Sequence, residues 1–306
     1  MVATRCYDAA HAAPAAALRT LKTDATDLER PPFAVVSALA PAQVGAEMVA
    51  CFKRFAGRAD RLAHAHSLAM NSLGLRQTDP LLRAGAAIAH EVDMGIGAGV
   101  ANGYHNAQHF LEVMLSALYL ARIAGLESRR AARVVTAGLI HDFHHDGSRA
   151  GAAPFRLEQL AVQRARPYLR EANVDAAQIA QLEALVLATE PRAGVPFARE
   201  SHRGHQRGTA LPVTGTALPR ALERLNTEPE LAQDAVMLAE ADVLPSIGLT
   251  IEHAEALQSR LAKEWGTLLG SADKLQFIDR MIGELWMAAF FIPNVQRLRD
   301  VYARGG

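Results

Sequence analysis

Two short stretches concentrate side chains that can bind metal ions and move protons. "LIHDFHHDG" (139–147) carries His141, Asp142, His144, His145 and Asp146 directly behind an apolar run. "YHNAQHFLEVML" (104–115) carries His105 and His109, four positions apart, so on a helix both project from one face. Imidazole and carboxylate are poor core residues, and folding does not require them in such company. A third stretch, "MLAEADVLPSIG" (237–248), sets Asp242 in apolar surroundings near the end of a helical run. A lone histidine on a helix is most often a hydrogen-bonded core or surface residue. Five of the twelve histidines between 105 and 145, with a semi-buried aspartate later, fit a shared metal site better. Imidazole with carboxylate suits zinc, manganese or iron, and carboxylate with water suits magnesium. No cysteine stands nearby, so the pattern is that of an open catalytic site, not of a closed structural zinc site.

The elements that must position these groups read as helices. Ala, Leu, Arg, Glu and Gln dominate and β-branched alternation is scarce, which predicts an all-α fold. Helical periodicity recurs over roughly 43–56, 58–73, 79–95, 105–124, 128–144, 155–171, 175–188, 229–241, 250–265 and 273–290. Residues 1–35 read as an N-terminal arm, loosely ordered or a single helix, ending near the two prolines of "ERPPF". Residues 36–306 read as one compact multi-helix catalytic domain. Within it, 191–215 is rich in Gly, Pro, Arg and His, and is expected to be a loop insertion.

Half of the 306 residues are hydrophobic, enough for a sizeable core. Lys plus Arg and Asp plus Glu are 32 each, which argues against a dedicated nucleic-acid binder. No apolar run reaches about 18 residues, so no membrane span is expected. The first residues lack the order of a signal peptide. Two cysteines, Cys6 and Cys51, make no disulfide framework, and a reducing cytoplasm is the simplest setting. The sequence leaves room for a homodimer.

"YHNAQHFLEV" followed by "HDFHHDG" resembles the signature of the class I cyclic-nucleotide phosphodiesterases, a branch of the HD-domain metal-dependent phosphohydrolases. "LEQLA" (157–161), "VLATE" (186–190) and "FIDRMIGELW" (277–286) resemble three further family stretches in the right order, so the resemblance runs from about 85 to 290. It implies that His109, His141, Asp142 and Asp242 hold a first metal, usually zinc. Asp142 would bridge to a second, usually magnesium or manganese, and iron remains compatible with these donors. His145 and Glu158 would orient water around the pair, and Thr189 would support the first ligand shell. His105 would be the general acid and Phe277 would stack on a planar base. Phosphodiester cleavage needs a hydroxide at neutral pH, charge neutralisation and a proton for the leaving alkoxide. Two metals about 3.5–4 Å apart supply the first two, and an imidazole supplies the third.

The substrate half of the pattern departs from the family. Pro245 stands where the family has an asparagine, and Lys274 where it has the glutamine that reads a purine edge. Gln276 is close in sequence but lies about 160° from Lys274 around a helix. Ala150 replaces a further asparagine. No residue matches the family's C-terminal glutamate that orients the general acid, and Asp300 is the candidate. The expected reaction is hydrolysis of a 3′,5′-cyclic nucleotide to its 5′-monophosphate. The alternatives are a non-purine phosphodiester or monoester, a catalytically idle ligand sensor, and a di-iron oxygenase using His144 or His90.

Overall fold

A computed structural model of the chain describes Leu28, Phe33 and residues 39–304, apart from 99–101, 149–152, 214, 216–217 and 286–288. Among these residues the fold is all-α. In chain order the helices are α1 (Pro41–Ala56), α2 (Arg61–Ser72), α3 (Pro80–Asp93), α4 (Ala107–Ile123), α5 (Ser128–Ile140), α6 (Arg156–Glu171) and α7 (Ala176–Leu187). There follow α8 (Gly194–Arg207), the single turn α9 (Arg224–Thr227), α10 (Pro229–Ile247), α11 (Ile251–Glu264), α12 (Ser271–Glu284) and α13 (Ile292–Arg304).

Two helices are apolar on nearly every side and must therefore lie inside. In α4 every residue from His109 to Ala121 is buried, and α10 is buried along most of its length. They pack against each other and against α5, forming the centre around which the amphipathic helices are laid. One charged cluster locks this centre together. The Asp234 carboxylate, fully buried on α10, accepts from Arg130 Nε and Arg133 Nη2 of α5, both at 2.7 Å. Removing one partner of such a buried pair costs about 3–5 kcal/mol.

The ends of these central helices carry the residues that the sequence singles out. Asn106 starts α4 by accepting the Gln108 N–H at 3.0 Å, which puts His109 in its first turn. Chain reversal after α5 begins at His141 and passes through His144 and Gly147, both at positive φ (65° and 74°). Asp242 lies in the last turns of α10.

One expectation is corrected. The interval 191–215 is not an unstructured insertion: α8 spans Gly194–Arg207 with Val195, Phe197, Ala198, Ser201, His202 and Gly204 buried. Its buried stripe is built mostly from small and polar residues, which hides the helical period. The carboxylate of Glu190 also starts it, with Oε2 accepting the N–H groups of Arg192, Ala193 and Gly194. A C-terminal helix not anticipated from periodicity, α13, packs Val295, Leu298 and Tyr302 inward. The N-terminal arm lies outside the described residues except Leu28 and Phe33. Both are buried, and Arg122 Nη1 donates to their carbonyls at 3.2 and 2.8 Å. Ala150 also lies outside the described residues.

Candidate metal and acid–base centre

Four donor atoms from α4, α10 and the turn after α5 converge. His109 Nε2 and His141 Nε2 are 3.3 Å apart. Each lies 3.1 Å from Asp142 Oδ2 and 3.4 Å from Asp242 Oδ1, so both imidazoles touch both carboxylates. Donors about 2.0–2.2 Å from one shared ion lie about 3.0–3.5 Å from one another, and these spacings fit that range.

Tautomers and charge fit a cation as well. His141 Nδ1 donates to the Gly138 carbonyl at 2.8 Å, which leaves the Nε2 lone pair facing the cluster. His109 Nδ1 is buried without a hydrogen-bond partner among the described residues. Burial opposes charging either imidazole, but the two aspartates outweigh it. They hold His109 up at about 9 and His141 well above its usual value. Burial would likewise raise Asp142, yet the His141 charge and hydrogen bonds from both histidines hold it well below the carboxylate range. The cluster is short of positive charge. A divalent cation satisfies the same deficit and displaces those protons.

His105 stands beside the four donors, with Nε2 4.0 Å from Asp142 Oδ2. Its Nδ1 donates to Glu264 Oε1 at the end of α11, while Glu264 Oε2 accepts the backbone N–H groups of Tyr104 and His105 at 2.6 and 3.0 Å. Asp300, the sequence candidate for this role, is exposed on α13. Only the contact between α11 and the loop before α4 reveals Glu264. One sequence signal existed: a carboxylate in the last turn of a helix opposes the helix dipole and needs a partner elsewhere.

The His145 ring stacks on His105 with centroids 3.7 Å apart. Its Nδ1 accepts the Gly147 N–H at 3.0 Å. Asn102 Nδ2 donates to the backbone carbonyls of His105 and His145, both at 3.0 Å, and so ties the two rings' backbones together. Burial lowers His145 to about 4. Glu158, in the first turn of α6, is raised to about 7 by burial, with the negative charges of Asp142 and Glu190 adding to it. Thr189 is buried, and its Oγ1 donates to the Val186 carbonyl at 2.8 Å.

Apart from Thr189, the residues expected to bind substrate lie on α10 and α12. Lys274 is 8% exposed, and its Nζ donates to the Ser246 carbonyl at 3.0 Å. Burial lowers it to about 8. The Ser246 hydroxyl is 3.1 Å from the Tyr104 hydroxyl, and the Tyr104 ring lies 4.8 Å from the His105 ring and 4.7 Å from His109. Lys274 is thus connected to the centre through two side chains. Phe277 is half-buried one turn further on, with its ring centroid 5.8 Å from Lys274 Nζ. Pro245 is buried within α10, whereas Gln276 is exposed. His144 and His90 join neither metal-ligating cluster of the described residues, and His90 is exposed.

No family model and no curated protein matches the sequence. Solved structures do. The phosphodiesterase domain of the RhoPDE fusion protein from the choanoflagellate Salpingoeca rosetta is 14% identical, with TM-score 0.57, covering 92% of this chain and 98% of that one. The fold is that of a phosphodiesterase catalytic domain. A second structure of the Salpingoeca rosetta rhodopsin phosphodiesterase domain has TM-score 0.58 at 14% identity, covering 92% of this chain and 94% of that one. LmjPDEB1 in complex with IBMX has TM-score 0.55 at 14% identity, covering 87% and 91%. Among the described residues no helix of this phosphodiesterase fold is long and apolar enough to cross a membrane.

Proposed function

We propose that the chain is a divalent-metal phosphodiesterase that hydrolyses a 3′,5′-cyclic nucleotide to the 5′-monophosphate. The observation that carries this reading is the convergence of His109, His141, Asp142 and Asp242 beside a histidine whose far nitrogen is held by Glu264. Divalent ions bound there, zinc first and magnesium or manganese second, supply water of lowered pKa and offset charge on the phosphoryl oxygens. His109, His141, Asp142 and Asp242 would hold the first ion, and Asp142 would also serve the second. Glu158 and His145 orient water.

Glu264 fixes the orientation of His105 and aims Nε2 toward Asp142, where a phosphoryl group would lie. From there His105 delivers a proton to the leaving alkoxide. Phe277 offers a ring face to a planar base. Lys274 and Pro245 supply no amide for a purine edge, so base discrimination is expected to be weak. A second anionic group on the substrate would suit Lys274.

The test is metal analysis of the purified protein with a panel of cyclic nucleotides, cyclic dinucleotides and chromogenic phosphodiesters. Activity that disappears with chelation and returns with divalent ions supports the reading. Full activity in metal-free protein overturns it. Discrimination between cyclic AMP and cyclic GMP above about 100-fold, about 2.7 kcal/mol, would overturn the expectation of weak base reading.

A further inference from the structure

A cavity of about 850 Å³ lies behind the loop that carries His105, between α1, α3, the start of α4, and α11. None of the four metal donors lines it. Its volume falls in the range of small-molecule sites, about 300–1,000 Å³, and is far larger than a packing defect.

The inner wall is polar and incompletely satisfied. Glu112 is 1% exposed, accepting Gln108 Nε2 at 2.8 Å and His253 Nε2 at 3.0 Å. With its amide nitrogen committed to Glu112, Gln108 leaves Oε1 buried with no donor among the described residues. A buried acceptor without a donor costs about 1–3 kcal/mol, so this atom calls for an N–H or O–H from an occupant. Apolar contact is available from Val49, Phe52 and Val92.

The lining is cationic where it opens. Lys53, Arg61 and Arg260 reach it from three helices, and among the described residues none of their side chains forms a hydrogen bond or close ion pair. Of the acids present, Asp93 is engaged by the N–H groups of Leu62 and Ala63, and Glu112 by Gln108 and His253. Glu252 is exposed. At the opening Lys53, Arg61 and Arg260 outnumber Asp93 and Glu252, which both keep their charge and of which Asp93 attracts Arg61, and the excess favours an anion.

The same wall is the rear of the catalytic loop. Asn102, which holds the carbonyls of His105 and His145, lines the cavity. So does Gly103, where a Cβ would come within 3.3 Å of the Arg260 carbonyl. Arg260 lies one helical turn before Glu264, the partner of His105. An occupant that moves α11 against the 102–106 loop therefore moves the Glu264–His105 pair.

We propose that this cavity is a second ligand site, taking a nucleotide-sized organic phosphate with an N–H donor, and that its occupancy adjusts the position of His105. The phosphate meets Lys53, Arg61 and Arg260, and the donor meets Gln108 Oε1. The effect on turnover rests on the proposed role of His105; the binding does not.

Binding is measured by calorimetry with 5′-AMP and 5′-GMP on full-length Asp142→Ala protein in chelator, where the metal centre is disabled. At least one nucleotide should bind with Kd below about 1 mM, and Arg260→Glu or Lys53→Glu should weaken it about 10-fold or more. Ala256→Trp, which fills the cavity from an exposed position, should abolish binding with an unchanged melting temperature. Absence of binding by both nucleotides, or binding indifferent to all three variants, overturns the site. For the coupling, the saturating nucleotide should change kcat of metal-loaded wild type on bis(p-nitrophenyl) phosphate, and Ala256→Trp should remove that response. Purely competitive inhibition that Ala256→Trp leaves intact overturns the coupling. A protein without phosphodiesterase activity would refute the proposed function while the calorimetry still decides the site.

Discussion

Glu264 grips His105 twice: Oε1 receives the ring Nδ1 and Oε2 the backbone N–H at 3.0 Å, across 159 residues of sequence. A carboxylate placed this way selects the tautomer and fixes the ring's orientation, as a positioned proton donor requires.

Glu264→Gln is expected to lower kcat on alkyl phosphodiesters by about 10–1,000-fold. Metal content should remain near wild type, because Glu264 touches none of the four donors. A comparison of metal analysis with steady-state kinetics checks this, and loss of metal with activity would reassign Glu264 to the metal centre.

His105→Ala is expected to lower kcat by about 10²–10⁴-fold, the usual worth of a general acid. The loss should shrink for p-nitrophenyl esters, whose leaving group hardly needs protonation. Equal losses on alkyl and nitrophenyl esters would give His105 another role.

Asp142→Ala is expected to abolish hydrolysis and to deplete metal at both positions, because in the proposed centre one carboxylate would serve two cations. Elemental analysis decides it: normal occupancy of both sites would remove the assignment.

Lys274 makes stability depend on pH in an unusual direction. Burial lowers it from the usual 10.5 to about 8. The unfolded chain therefore holds this proton over a range where the folded chain has lost it. Stability contributed through Lys274 rises with pH between about 8 and 10.5 and is lowest below 8. At 1.36 kcal/mol per unit the full change is about 3 kcal/mol. Lys274→Met should flatten that rise and stabilise the protein near pH 7 by about 2 kcal/mol, once the lost hydrogen bond to Ser246 is subtracted. Denaturant titrations at pH 7 and 10 measure both effects, and an unchanged pH dependence would place the ammonium in water.

The all-α class was legible because Ala, Leu and charged residues recur at helical spacing, and the long helices α4 and α5 lie close to their sequence-predicted ranges. A gathering of histidines and aspartates was legible because ionisable side chains in apolar company are costly unless they share a partner, and the choice of His109, His141, Asp142 and Asp242 among them rested on the family resemblance. α8 was not. Beyond Val195 and Phe197 its inward face is Ala, Ser, His and Gly, which makes no sustained apolar period, and Glu190 starts the helix while neighbouring helices cover it. Glu264 was equally hidden, a charged residue at the end of a surface helix like many others.

By itself the sequence determined which chemistry is affordable: imidazole and carboxylate donors at the ends of apolar helices, suited to a divalent cation. Tertiary structure alone decided their partners. Which carboxylate meets His105, where Lys274 buries its charge and which cavity opens behind the catalytic loop depend on how α10 packs against α4, α11 against the loop before α4, and α12 against the end of α10. Periodicity fixes the face that a residue occupies on its own helix. The neighbour that the face meets is set by packing between segments more than a hundred residues apart.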